Sequence, residues 1–158
     1  MKLYLTQHGL AVAKDVDPER PLSEQGRRDV RRLADFLANA GVRVEQVLHS
    51  GKTRAQQTAA ILADSLSPTA QPQTQAGISP NDPAEPLVAE IMAWSADTLL
   101  VGHLPFLGRL AALLLAGDAN RPTLAFAPGS MACLERDHDG RWSLCWMIRP
   151  ELLPSADP

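Results

Sequence analysis

A chain of 158 residues, 45% hydrophobic and 21% charged, is long enough to bury a core and has the composition of an ordinary globular domain. Its net charge of −3 excludes a nucleic-acid footprint spread over the whole surface, and its longest apolar helical run, Leu110 to Ala116, is too short to span a bilayer. The expectations are one domain over residues 1–150, a loose tail over residues 151–158, no nucleic-acid or membrane partner, and any anion site built from local positive charge.

Lys2 to Thr6 is short, apolar and rich in strand formers, so the chain opens directly as a strand. No long apolar segment with a small-residue cleavage site precedes it, which predicts a cytoplasmic protein. A polar loop with Asp15, Asp17, Glu19 and Arg20 follows. Ser23 then predicts a helix N-cap, Val30, Leu33, Ala34 and Leu37 give that helix an apolar face, and Gly41 stops it. Val44 to His49 reads as a second strand, and a helix starting at Lys52 or Thr53 presents Ala55, Ala59, Leu62 and Ala63 along one side.

The Pro-, Gln- and Ser-rich stretch from Ser67 to Pro86 reads as a surface loop with one short strand near Gln73–Ala76. Thr98 to Gly102 is a continuous apolar run of the buried parallel-strand type. Pro105 opens the next helix, which Gly117-Asp118 closes. Thr123–Phe126, Met131–Arg136 and Trp142–Ile148 read as strands, the last two as a hairpin. The order predicts an α/β fold, a mostly parallel sheet between helical layers with a C-terminal hairpin. If Arg136 pairs with Arg141 across the turn, Cys133 faces Leu144 and not Cys145. The two cysteines then read as reduced, mostly buried thiols, and no metal-type Cys/His spacing is present.

Three strand ends carry the chemistry, because α/β proteins place it just beyond the carboxyl ends of their strands. The first ends in Gln7-His8-Gly9. Imidazole is a good nucleophile toward phosphorus if one nitrogen keeps its lone pair and an acceptor fixes the other. Gly9 is expected to let a ligand approach the backbone closely. The second strand leads into Ser50-Gly51-Lys52-Thr53-Arg54, where free N–H groups of a helix start, the planar fork of Arg54 and the point charge of Lys52 suit an anion. The third ends in Gly102-His103, whose imidazole is suited to a phosphate oxygen. Taken singly, each also reads as a packed histidine or a solvated helix start. His49 is expected to turn away by strand alternation, and His138 to be solvated in its turn.

Together the segments resemble the histidine phosphatase superfamily, and within it the small SixA-type phosphohistidine phosphatases. The family's Arg-His-Gly matches Gln7-His8-Gly9, and its Ser-Pro-x-x-Arg-Ala-x-x-Thr matches Ser50, Arg54, Ala55 and Thr58. Its second histidine matches Gly102-His103-Leu104-Pro105, and Arg20-Pro21-Leu22-Ser23 with Gly26 matches the stretch opening the first helix. The resemblance implies a three-layer αβα sandwich, a nucleophile at His8, phosphoryl contacts from Arg54 and His103, and neither metal nor organic cofactor. It implies phosphate removal from a phosphohistidine-bearing protein, with histidine-containing phosphotransfer domains as possible targets. Two departures stand out: Gln7 replaces the family arginine, and Gly51 replaces the family proline. Lys52 is the expected replacement for the missing charge. Asp82, or else Glu85, is the nearest candidate for a general acid, although Asp82 also reads as a turn residue before Pro83. Two alternatives remain: a phosphoryl-binding module with little turnover, and a broad small-molecule phosphomonoesterase that needs a real acid at Asp82 or Glu85.

Overall fold

A computed structural model describes residues 1–155. Strands β1 (Lys2–Gln7), β2 (Gln46–His49), β3 (Gln73–Thr74), β4 (Thr98–Gly102), β5 (Met131–Arg136) and β6 (Trp142–Ile148) form one sheet in the order β3-β2-β4-β1-β5-β6. The first four pair in parallel, and β5 and β6 add an antiparallel hairpin beyond β1. Helices α1 (Glu24–Asn39) and α2 (Thr53–Leu66) cover one face, where Val30, Leu33, Leu62 and Leu66 pack on Tyr4, Val47, Leu99 and Val101. Helices α3 (Glu85–Ile91) and α4 (Phe106–Ala116) cover the other, where Leu87, Ile91, Phe106 and Leu110 pack on Leu3, Leu5, Leu48 and Leu100. This is the three-layer αβα arrangement that the strand alternation predicts: adjacent residues of β1, β2 and β4 point into opposite layers.

Local choices agree with these elements. Ser23 caps α1, its hydroxyl accepting from the Gly26 N–H at 3.0 Å. Gly117 closes α4 at φ 71°, a left-handed cap. Among the described residues, no helix is long and apolar enough to cross a membrane.

Several expectations need correction. Thr123–Phe126 is not a strand. Strand β1 is already paired on both sides, and the Ala125 carbonyl accepts from the Arg149 guanidinium at 2.6 Å instead of from a neighbouring strand. In the hairpin, Arg136 pairs with Trp142, and a register shift between Cys133 and Leu134 places Cys133 opposite Trp146. Cys145 is the extra residue of that shift and is exposed, while Cys133 is buried; both are free thiols. The chain after Pro150 is not loose over residues 151–154. Leu153 is buried against α1, and the Arg32 guanidinium donates to the carbonyls of Pro150, Leu153 and Pro154. Residues 156–158 of the expected tail lie outside the described residues.

Candidate active site

The sheet order sets three strand ends side by side. β4 lies between β2 and β1, with Gln7 in register with Gly102 and His49 with Val101. The residues following these strands, His8, His103 and Ser50, therefore emerge together. The backbone holds them there: the His8 N–H donates to the Gly102 carbonyl at 3.1 Å, and the Gly129 N–H reaches the carbonyls of both Gln7 and His8.

His8 has both ring nitrogens engaged. Its Nδ1 lies 2.7 Å from the Gly9 carbonyl, an acceptor only, so Nδ1 carries the proton. Nε2 keeps its lone pair and accepts from Arg54 Nε at 3.2 Å. Arg54 is held in turn through Thr58, whose hydroxyl donates to the Arg54 carbonyl at 2.7 Å and accepts from the Gly9 N–H at 3.0 Å. The reason for Gly9 differs from the expected one. A Cβ there would lie 2.8 Å from Val30 Cγ2, so glycine is needed for the packing of α1 against the strand end.

His103 is almost fully buried, with Nε2 at 2.6 Å from Ser50 Oγ and Nδ1 buried without a partner. Its ring centre is 5.0 Å from that of His8. Burial, then the positive neighbours His8, Arg54, Lys52 and Arg20, push its pKa down to about 3. His8 is pushed down to about 4, by burial first, partly opposed by the Gly9 carbonyl, then by Arg54 and Arg20. Both imidazoles are neutral at neutral pH. A base at His8 Nε2, a guanidinium beside it and a second imidazole opposite can attack a phosphoryl group and bind its oxygens.

These shifts set a pH dependence. Folded His8 and His103 refuse protons that the unfolded chain takes up below its ordinary imidazole pKa, about 6.5. Their contribution to stability is therefore intact above that pH and lost progressively as pH falls toward 4. His103→Gln should lose less stability than the parent between pH 7 and 4.5. Parallel melting-temperature curves for the two proteins would contradict this.

The other predicted site residues divide. Gln7 brings a side chain with its Oε1 buried and unpartnered. Ser50 contacts His103, and its hydroxyl also accepts from the Lys52 N–H at 3.3 Å. Lys52 is exposed at the N-cap of α2 and makes no side-chain capping bond. Asp82 turns a carboxylate oxygen back onto the Ser79 N–H at 2.7 Å, as its turn reading expects, and Glu85 is exposed at the start of α3. Among the described residues, no carboxylate forms a hydrogen bond or ion pair with His8, Arg54 or His103. His49 is buried, and its Nδ1 accepts from the Gly51 N–H at 3.0 Å, which shapes the turn into α2. Gly51 stands at φ 85°, a conformation closed to the proline of the family pattern.

Arg20 is the residue that motif reading left without a role. It appears among the charges acting on His8, Arg54 and His103. A cavity of about 560 Å³ lies at the opposite, amino ends of the strands between Lys2, Tyr4, Phe36, Arg43 and Trp146. It contains none of these groups.

The family model for the histidine phosphatase superfamily (branch 1) matches residues 3–79. An uncharacterised protein of Picosynechococcus is 34% identical over 126 residues, 75% of each chain. Phosphohistidine phosphatase SixA of Escherichia coli is 28% identical over 155 residues, covering 95% of this chain and 94% of that one. A solved structure of the protein histidine phosphatase SixA complexed with tungstate superposes with a TM-score of 0.85 at 25% identity, covering 96% of this chain and 99% of that one. An α-ribazole-5′-phosphate phosphatase of Escherichia coli shares the fold at 17% identity and a TM-score of 0.76, covering 95% of this chain and 97% of its own.

Proposed function

The chain belongs to the histidine phosphatase superfamily, and from that premise we propose that it is a hydrolase removing phosphate from phosphohistidine on a protein. The observation that carries the reading is the state of His8. Its Nδ1 proton is taken by the Gly9 carbonyl, and its Nε2 lone pair faces the guanidinium of Arg54. In the proposed reaction Nε2 attacks phosphorus in line, and the phosphorus–nitrogen bond of the substrate breaks. The leaving imidazole takes a proton from water. A water molecule then attacks the phosphoenzyme, releasing inorganic phosphate and restoring His8. Arg54 and His103 bind the phosphoryl oxygens, with Ser50 orienting His103 and Gln7 completing the edge. That SixA forms a complex with tungstate, an oxyanion, supports this reading.

Among the described residues no carboxylate bonds to His8, Arg54 or His103, an arrangement better suited to a phosphoramidate than to an ester. Imidazole leaves with a pKa of about 6.5, whereas an alkoxide needs a positioned acid, a contribution of roughly 10²–10⁴-fold. Asp82 accepts from the Ser79 N–H of its own loop, which supports this preference. A phosphorylated histidine-containing phosphotransfer domain in the cytoplasm is the proposed partner.

The test is a steady-state comparison of a phosphohistidine protein, a small phosphoramidate, an aryl phosphate and an alkyl phosphate. The phosphoramidates should exceed the alkyl ester by roughly 100-fold or more in kcat/KM. Equal turnover of the alkyl ester would replace this reading by a phosphomonoesterase. Phosphate binding without turnover of any of them would replace it by a binding module.

A further inference from the structure

We propose that Arg20 is a second guanidinium of the phosphoryl-binding site, carried there by a strap formed by residues 10–23. The inference rests on the phosphatase reading only for the identity of the ligand.

The strap is a closed local structure. Ala11 bridges Leu22, the Val12 N–H donates to the Pro21 carbonyl, and the Ser23 N–H donates to the Leu10 carbonyl. Gly26 of α1 lies directly beneath it, so close that a Cβ would clash with the Leu10 carbonyl. Two contacts then register the strap on α2. The Leu22 N–H donates to Gln57 Oε1 at 2.8 Å, and the Thr53 hydroxyl reaches Glu19 Oε2 at 3.5 Å. Glu19 and Leu22 bracket Arg20 on the strap, and Thr53 and Gln57 bracket Arg54 on the helix. The two arginines are thereby brought to the same level.

Three further observations agree with a ligand role. Arg20 has φ 48° and is the only non-glycine residue at positive φ among those described. Such a conformation is strained for an ordinary side chain, and residues held this way gather at ligand sites. Its Nε donates to the Val12 carbonyl at 3.3 Å, which aims the guanidinium. Its terminal nitrogens have no acceptor among the described residues. The ion pairs among those residues involve Arg28, Arg32, His138 and Arg149, and neither Arg20 nor Arg54 has a carboxylate partner. Arg54 is held below its usual range by burial and by Arg20. A guanidinium on the strap at the level of Arg54, each without a carboxylate partner among the described residues, suits a dianion. The strap then supplies positive charge that Gln7 does not bring to the strand end, beside that of Lys52, which also acts on His103.

The competing account is structural: Arg20 only ties the strap to Val12. Arg20→Gly separates the two, because glycine adopts φ 48° without strain. Inorganic phosphate titrated calorimetrically into the parent and the variant should bind the variant about 10-fold or more weakly, the scale of a charged hydrogen bond. The melting temperature should be unchanged or raised. Arg20→Asn, which also tolerates the left-handed region, should behave alike, and Arg20→Lys should recover part of the affinity. In turnover of a phosphoramidate the loss should appear in KM more than in kcat. Phosphate affinity equal to the parent's in Arg20→Gly or Arg20→Asn overturns the proposal, whatever the melting temperature does. A parent protein with no measurable phosphate affinity also overturns it. Arg20-dependent phosphate binding without phosphoramidate turnover supports it and removes the phosphatase reading instead.

Discussion

Replacing His8 by alanine is expected to lower phosphoramidate turnover roughly 10⁴-fold or more, the scale seen when a covalent nucleophile is removed. The same variant should lose the intermediate. Incubated with a labile phosphoryl donor, the parent protein should become labelled with an acid-labile, base-stable phosphate, and His8→Ala should remain unlabelled. The argument is geometric. Nε2 of His8 is the basic ring nitrogen left with a lone pair beside Arg54, since Nδ1 faces the Gly9 carbonyl and the Nε2 of His103 is engaged with Ser50. Folding should survive, because the main-chain bonds from His8 to Gly102 and from Gly129 to His8 do not involve the ring. Full labelling of His8→Ala would move the nucleophile elsewhere, and His103→Ala would then be the next variant to label.

How far this was legible in the sequence depends on the kind of interaction. The elements that bury apolar stripes were readable. Val30, Leu33, Ala34 and Leu37 repeat with helical period, and the run Thr98 to Val101 is buried on both faces, as its unbroken apolar character requires. The convergence of His8, Ser50, Arg54 and His103 followed once parallel strands were inferred, because such strands share one carboxyl edge. Thr123–Phe126 was misread because its β-like composition says nothing about whether a strand edge is free, and β1 had none. The hairpin register was missed by one residue for a related reason. Equal turn geometry was assumed, and a shift at Cys133 and Leu134 is not encoded in alternation.

Arg20 was read only as part of a polar loop, because its placement beside α2 is tertiary. The loop's acidic neighbours read as a solvated surface. Only the bonds from Leu22 to Gln57 and from Thr53 to Glu19 bring it level with α2. Lys52 attracted the missing charge by sequence proximity to Ser50; it stands exposed at the helix cap and is among the charges acting on His103. Asp82 had two readings, and the turn reading describes its hydrogen bond.

Replacing Arg54 by alanine should lower the rate of phosphoramidate turnover by roughly 10²–10³-fold, the usual consequence of losing an oxyanion donor. Phosphate or vanadate affinity should fall by about 1.5–3 kcal/mol, the range of a hydrogen bond to a charged group. Arg54 does two things, and a pH profile separates them. Its Nε bonds to His8 Nε2, and its charge is among the causes holding the His8 pKa near 4, after burial. Removing that charge raises the His8 pKa only part of the way toward the ordinary imidazole value, since burial still opposes protonation. A nucleophile must be unprotonated, so the acid limb of kcat/KM should move to higher pH in Arg54→Ala. Arg54→Lys retains a positive charge without the planar fork. It should keep the acid limb close to the parent's while recovering only part of the affinity. A solvated Arg54 that only decorates the helix start predicts unchanged affinity by calorimetry and superimposable pH profiles. An acid limb that moved in Arg54→Ala while phosphate affinity stayed constant would restrict Arg54 to tuning His8 and leave the oxyanion to His103 and the remaining cations.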